Sequence, residues 1–156
     1  MGTEEKLLAK TICEMFHYGV KAYHPEWGIV EVIEIKKNYI GFKTIKDGRF
    51  GLTNISRIKP YLRPISAITK EEAEEMFHVL HPNDKLVKVE IEQNKARFYH
   101  VFDGKHFGIL AYFFNKIYSI EQMDWYYSKH FDVREILPLD LGIAVTEENN
   151  PYQISD

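Results

Sequence analysis

Two residue pairs, one of two histidines and one of a histidine with an aspartate, come nearest to a metal-binding or catalytic pattern in this chain of 156 residues. His78 and His81 lie three residues apart on a predicted helix, so both imidazoles face one side, as two metal ligands would. A closed zinc site needs four ligands, and only Glu74 or Glu75 lies close by on the same helix. The HExxH pattern is missing. We therefore expect a solvated helix end and no bound metal.

The second pair is His130 and Asp132. An aspartate beside a histidine can fix the tautomer of the imidazole for base catalysis, but it can also end a helix by hydrogen-bonding its last turn. No serine or cysteine stands in a recognisable nucleophile turn, and Cys13 falls on the first predicted helix, where packing is its expected role. We expect no catalytic residue, and hence a protein that is not an enzyme.

Cofactor motifs are missing from the sequence. It has no GxGxxG, P-loop or EF-hand pattern. Gly41, Gly48 and Gly51 are spaced like hairpin glycines and not like a phosphate-binding loop. We therefore expect no cofactor.

Basic and aromatic residues interleave on two adjacent predicted hairpins. The candidate binding residues are Lys36, Lys37, Tyr39, Lys43, Lys46 and Arg49, with Phe42 and Phe50 between and beside them. Aromatic rings next to cations suit single-stranded nucleic acid, because bases stack on rings while lysines neutralise phosphates. The alternative is that the aromatic rings point into a core, since neighbours on a strand face opposite sides.

Formal charge divides the chain unevenly. Residues 20–65 hold nine basic and four acidic side chains, a net charge of +5, whereas residues 66–156 hold nine and sixteen, a net charge of −7. A basic lobe can bind phosphate groups or an acidic partner. The two lobes can equally attract each other, or the lysines can simply solubilise strand faces.

The N-terminal half predicts a helix followed by a small barrel. Residues 3–18 carry an apolar stripe at helical spacing, and Thr3 is placed to cap the helix. Residues 20–65 predict four or five short strands, with the strongest hairpin signal at Asp47-Gly48. Short, strongly bent strands favour a closed barrel, because closure removes exposed edges.

The C-terminal half predicts a separate α+β lobe. Thr69 and Glu72 form a capping box that begins a helix, and Ser119 with Gln122 forms a second one. Between them, three strands are predicted over residues 86–91, 96–102 and 107–114, and residues 146–156 are expected to fray. We predict an α+β protein with two domains, residues 1–65 and 66–156.

Two resemblances add to this picture. The turns and strand residues from Val20 through Trp27-Gly28 to Val30 resemble the opening of SH3-like or Tudor-like small barrels. Such barrels bind peptides, nucleic acid or only their own neighbours, so the resemblance implies a fold and leaves function open.

The second resemblance is to uncharacterised proteins encoded by phages and mobile elements of gut Bacteroides-type bacteria. It rests on two segments, Ile58 to Pro64 (IKPYLRP) and Met123 to Arg134 (MDWYYSKHFDVR), with Leu141 to Val145 after them. The chain departs from that pattern at Tyr126-Tyr127, where Leu-Asn is usual, and at Glu135, where Gly is usual. The resemblance implies a phage or mobile-element origin and no mechanism.

Composition sets the remaining expectations. The hydrophobic fraction of 45% and the charged fraction of 28% are those of a globular protein. The first six residues lack a signal-peptide pattern, and the apolar run 107–114 is too short to cross a bilayer. The single cysteine fits a reducing compartment. We expect a cytoplasmic protein of the host bacterial cell.

Aromatic residues make up 14% of the chain, which serves either a small core or a binding surface. We expect a non-enzymatic accessory protein that acts by binding a protein partner. The alternative is a nucleic-acid-binding protein that uses the basic barrel at residues 20–65.

Overall fold

The structure is a computed structural model that describes residues 2–153. It confirms the predicted α+β class, with an N-terminal helix, a six-stranded sheet and a separate three-stranded antiparallel sheet. The three α-helices of the described residues are α1 (Thr3–Met15), α2 (Lys70–Leu80) and α3 (Ile120–Ser128). Their strands are β1 (Val20–His24), β2 (Gly28–Lys36), β3 (Tyr39–Thr44), β4 (Phe50–Asn54), β5 (Lys59–Leu62), β6 (Lys85–Glu92), β7 (Lys95–Phe102), β8 (His106–Phe113) and β9 (Ile143–Ala144). None of these helices is long and apolar enough to cross a membrane.

The described chain divides into two compact units. The first joins the chain up to Pro64 with the segment from Tyr127 onward, and the second is Ile65–Tyr126. The predicted second domain, residues 66–156, therefore needs correction, because its last part belongs to the first unit. The reason is long-range pairing: β9 lies parallel to β5, and Phe131 forms a bridge with Arg63.

Helix α1 buries its apolar stripe in the first unit. Leu8, Ile12 and Met15 of that stripe are buried. Phe16 is 37% exposed, because it begins a turn of 3₁₀-helix whose tighter winding changes the direction of the side chain. Thr3 does not cap the helix as predicted, since the N-cap residue is Gly2 and no side-chain bond is made there.

The six-stranded sheet of the first unit has the order β4-β3-β2-β1-β5-β9. All neighbours are antiparallel except β5 and β9. Two strands separate β1 from β4 in this order, yet the Nε2 atom of His24 lies 3.0 Å from the hydroxyl of Thr53, in a buried position. The sheet therefore curves upon itself, while β4 and β9 remain its two edge strands.

The C-terminal segment is anchored and not frayed as predicted for residues 146–156. The hydroxyl of Tyr152 donates to the carbonyl of Tyr61 at 2.9 Å, and its ring stacks on His130 with the ring centroids 3.6 Å apart. The part of that prediction that concerns residues 154–156 falls outside the described residues. One aromatic side chain near the terminus thus holds a stretch whose composition suggested fraying.

The second unit is a three-stranded antiparallel sheet, in the order β6-β7-β8, with α2 packed on one face. Phe77 of α2 stacks on Phe98 of β7 with centroids 5.2 Å apart. The predicted capping box is present, because Thr69 and Glu72 exchange two hydrogen bonds of 3.1 Å. The opposite face of the sheet exposes Phe107 and Ile109.

Candidate binding surface

The six predicted binding residues lie in three places along β3. Lys36, Lys37 and Tyr39 are at the β2–β3 turn, Lys46 and Arg49 are at the β3–β4 turn, and Lys43 lies between them on the strand. The two turns are about 17 Å apart, since β3 advances about 3.4 Å per residue. The structure therefore spreads these residues along a strand instead of gathering them into one cluster.

Strand alternation decides which aromatic residues are available for binding. Phe42 points inward and is 1% exposed, so the core alternative is right for this ring. Tyr39 and Phe50 point outward and are 58% and 74% exposed, and Leu52 beside them is 73% exposed. Sequence analysis did not single out Leu52. This residue is the cross-strand partner of Gly41, which places it between the two rings.

We call the outward side of this hairpin the β3–β4 face, made of Tyr39, Gly41, Lys43, Phe50 and Leu52. Leu52 pairs with Gly41, and Phe50 pairs with Lys43. The missing side chain at Gly41 leaves a shallow pocket of about 190 Å³. Glu34 forms one wall of it, and a Cβ atom added at Gly41 would meet the Cβ atom of Glu34 at 2.9 Å. The backbone here thus leaves room for a side chain of another molecule.

The charges around this face are mixed, with an excess of cations. Lys36 pairs with Glu34 at 2.9 Å, and Arg49 pairs with Asp47 at 3.0 Å, both in exposed positions where such pairs contribute little. The hydroxyl of Thr44 donates to Asp47, and this bond, together with the charge of Arg49, lowers the pKa of the Asp47 carboxyl.

Three further cations leave the face positive. Within the described part of the chain, Lys37, Lys43 and Lys46 make no ion pair and are exposed. An acidic segment that approaches the β3–β4 face would therefore meet these three lysines, of which Lys43 has the carboxylate of Glu31 as its cross-strand neighbour.

Strand β4 also offers free backbone groups, because it is the edge of its sheet. The amide of Ile55 donates to the carbonyl of Asn38 at 2.9 Å, which fixes the alternation along β4. Gly51 and Thr53 face β3, so the amides and carbonyls of Phe50 and Leu52 face away from it. An extended peptide can pair with such an edge while its side chains rest on the sheet face.

His130 and Asp132 each hydrogen-bond to backbone groups elsewhere in the chain. The Nε2 atom of His130 donates to the carbonyl of Gly19 at 2.8 Å. The carboxylate of Asp132 is buried and accepts from the amides of Ile136 and Leu137, each at 2.9 Å. Burial lowers the pKa of His130 and raises the pKa of Asp132. Both side chains hold the chain in place, but their partners are the turn after α1 and the amides of Ile136 and Leu137, and not the last turn of α3 that the helix-end alternative named.

His78 and His81, where a solvated helix end was expected, contact different neighbours. His78 is exposed and its ring meets the edge of Phe77, whereas the Nε2 atom of His81 lies 2.6 Å from the hydroxyl of Tyr112. Among residues 2–153, no three His, Cys, Asp or Glu side chains are placed to hold a metal ion. Cys13, expected in packing, is exposed.

One polar cluster of the second unit escaped sequence analysis. Asp84 lies 3.0 Å from the Nδ1 atom of His100 and 4.0 Å from that of His81, which in turn contacts Tyr112. Burial lowers the pKa of His81 and raises that of Tyr112. His100 and Phe98 lie two residues apart on β7, so both side chains point to the side covered by α2. This spacing was the sequence signal for a buried histidine.

This cluster borders a concavity of about 350 Å³ lined by Tyr118 and Ser119. A carboxylate shared by two imidazoles can hold a proton, but a hydrolytic reaction also needs a nucleophile. The hydroxyl of Ser119 already accepts from the amide of Gln122 at 3.1 Å, which caps α3. The cluster thus ties the loop after α2 to β7 and β8.

Comparisons with known proteins add no relative. A scan against protein-family models, a search of curated proteins and a search of solved structures each return no match for this chain. The geometry of the β3–β4 face is therefore the ground on which a function is proposed.

Proposed function

We propose that this chain is a non-enzymatic accessory protein, encoded by a phage or mobile element, that acts in the cytoplasm of a bacterial host by binding another protein. The observation that carries the proposal is the β3–β4 face. Three large apolar side chains, Tyr39, Phe50 and Leu52, are 58% to 74% exposed beside an open strand edge. Exposed apolar strips rimmed by charges are typical of protein-binding surfaces.

The partner segment is extended, apolar and acidic. An extended segment pairs with the edge of β4, where Leu52 offers one amide and one carbonyl. Its alternate apolar side chains rest against Tyr39 and Phe50 and enter the pocket above Gly41. Its acidic side chains meet Lys43 and the lysines at the ends of β3, which supports an acidic partner over a basic one.

A selection of displayed peptides tests the proposal. We expect enrichment of peptides that combine apolar and acidic residues. Leu52→Asp should weaken the binding of an enriched peptide at least tenfold, because it places a negative charge, which repels the acidic peptide, in the centre of the β3–β4 face. Fluorescence anisotropy with the synthetic peptide measures the effect.

Leu139→Asp is the matched control, because Leu139 is 46% exposed and lies outside the β3–β4 face. Both substitutions are on the surface and should leave the free energy of unfolding nearly unchanged. The proposal fails if no peptide is enriched, or if the enriched peptides bind Leu52→Asp as tightly as the original chain.

A second candidate function, nucleic-acid binding, is favoured by the outward Tyr39 and Phe50 rings beside Lys43. The pairing register separates the two rings by four residues, about 14 Å, so successive bases cannot stack on both. This spacing is why we place protein binding first.

An electrophoretic shift with labelled single- and double-stranded DNA and RNA at two salt concentrations tests the second candidate. Phosphate contacts predict affinity that falls steeply with salt, because bound counterions are released. The triple variant Lys36→Gln, Lys37→Gln, Lys46→Gln should then lose most of the affinity. No shift at low salt would exclude this candidate.

A further inference from the structure

Strand β8 is an edge strand of the second unit that lacks the usual protection against pairing. Its sequence, HFGILAYF, contains no Lys, Arg, Asp, Glu or Pro. Natural edge strands commonly carry such residues, because these discourage the addition of another strand. The other edge strand, β6, does carry them, with Lys88, Glu90 and Glu92 on one side.

The backbone groups that face away from β7 can be assigned by alternation. The amide of Phe114 donates to the carbonyl of Asn94 on the β7 side at 2.9 Å, so the odd-numbered residues of β8 direct their amides and carbonyls outward. The amide of Phe113 confirms this, since it donates to the hydroxyl of Tyr118 at 3.3 Å. Phe107, Ile109 and Ala111 therefore form the open part of the edge.

The same three residues project their side chains onto the face of the sheet opposite α2. Phe107 is 60% exposed and Ile109 is 55% exposed, and Ala111 is exposed as well. Their cross-strand neighbours on β7 are Val101, Tyr99 and Arg97. An apolar strip thus runs along the open edge, which combines free backbone groups with apolar surface.

We propose that β8 pairs antiparallel with β8 of a second copy of this chain, about a two-fold axis that passes through Ile109. Since the odd-numbered residues bear the outward backbone groups, they form the hydrogen-bonded pairs of the new ladder. Ile109 then faces Ile109 of the second copy, and Phe107 faces Ala111 of the second copy. The two three-stranded sheets become one sheet of six strands, a common size.

Size and charge both favour a second copy as the occupant. The register sets the large ring of Phe107 against the small side chain of Ala111 twice, once on each side of the axis. No formal charge lies on β8, so the symmetry brings no like charges together within the strand.

Light scattering after size-exclusion chromatography, over a range of protein concentrations, tests the oligomeric state. We expect a concentration-dependent dimer. Ile109→Lys should weaken dimerisation at least tenfold, because it places two ammonium groups opposite each other at the axis. Val79→Lys is the matched control, since Val79 is 51% exposed on α2, which packs on the face of the sheet opposite Ile109.

Cysteine pairs test the register independently of Ile109→Lys. In a Cys13→Ser background, mild oxidation should cross-link Ile109→Cys with itself, because hydrogen-bonded partners have Cα atoms about 5.5 Å apart, within disulfide range. Phe107→Cys alone should not cross-link, whereas a mixture of Phe107→Cys and Ala111→Cys should.

A monomer at every concentration overturns the proposal, as does cross-linking of Phe107→Cys alone that equals that of Ile109→Cys. Loss of dimerisation in Val79→Lys to the same extent as in Ile109→Lys overturns it too. None of these outcomes bears on the β3–β4 face, which belongs to the first unit.

Discussion

At the scale of single residues, the ion pair between Glu14 and Arg134, which is partly buried, stabilises the first unit. Arg134 donates from Nε and Nη2 to the carboxylate of Glu14 at 2.9 and 2.6 Å, and Tyr127 donates to the same carboxylate. Burial raises the pKa of Glu14, but these hydrogen bonds and the charge of Arg134 bring it below its ordinary value. The bidentate geometry joins α1 to a segment 120 residues later in the chain.

Replacement of Arg134 by methionine should lower the free energy of unfolding by about 1–3 kcal/mol, between the values of exposed and buried pairs. Chemical denaturation at neutral pH measures this. Arg49→Met is the matched control, because the Arg49–Asp47 pair is exposed, and its loss should change stability little. Equal effects of the two substitutions would contradict the special role of the Glu14–Arg134 pair.

Histidine titration sets the expected pH dependence. Burial is the largest cause that lowers the pKa values of His24, His81 and His130 below the ordinary 6.5. The unfolded chain then binds more protons than the folded chain as pH falls below 6.5, so the stability contribution of the neutral histidines is present above that pH and lost below it. Urea unfolding at pH 7.5 and pH 5.5 should show a lower free energy at pH 5.5.

His24→Gln should reduce this difference between the two pH values, because one of the three groups is removed. The raised pKa of Asp132 acts with the opposite sign, because above pH 3.8 the folded chain binds the extra proton. It therefore offsets part of the histidine effect. Stability that is equal or higher at pH 5.5 would contradict the expectation.

At the scale of elements, local signals predicted where most helices and hairpins begin. The capping box at Thr69 and the turn at Gly48, where φ is +69°, act over a few residues, so the sequence alone reveals them. Which face of β3 is exposed follows from alternation only after the register is known. The outward direction of Tyr39 and the inward direction of Phe42 therefore remained open.

Two threonines at predicted caps separate a real cap from an apparent one. Thr69→Ala should cost about 1 kcal/mol of stability, because the Thr69 hydroxyl accepts from the amide of Glu72 at 3.1 Å. Thr3→Ala should cost much less, because Thr3 already lies inside α1 and Gly2 holds the cap position. Thermal denaturation of both variants measures the difference, and equal shifts in Tm would refute it.

At the scale of the whole molecule, the division of the chain was the least predictable feature. The boundary near residue 65 carries a local sign, the change from strand signals to a capping box. The return at Tyr127 carries none, since it depends on β9 pairing with β5 and on Phe131 bridging to Arg63, contacts between distant residues. Patterns read within a short window do not reveal such contacts.

Tyr152 tests the return of the chain. Burial raises the pKa of its phenol, and the hydroxyl also accepts from the amide of Lys21 at 3.1 Å. Tyr152→Ala should lower the free energy of unfolding of the first unit by about 2–4 kcal/mol, through lost packing and lost hydrogen bonds. Tyr152→Phe should cost less, because the ring remains against His130. Denaturant titration compares the two, and a neutral Tyr152→Ala would contradict the anchoring.

The interrupted order of the first unit has a consequence for synthesis on the ribosome. The second unit is complete once residue 126 has emerged, whereas the first unit must wait until β9 and Tyr152 have been synthesised. The second unit should therefore fold first, while residues 1–64 remain accessible to proteases and chaperones. Stalled nascent chains of increasing length, treated with protease, would show protection of residues 65–126 before protection of α1. The opposite order would mean that the early strands fold without their C-terminal neighbours.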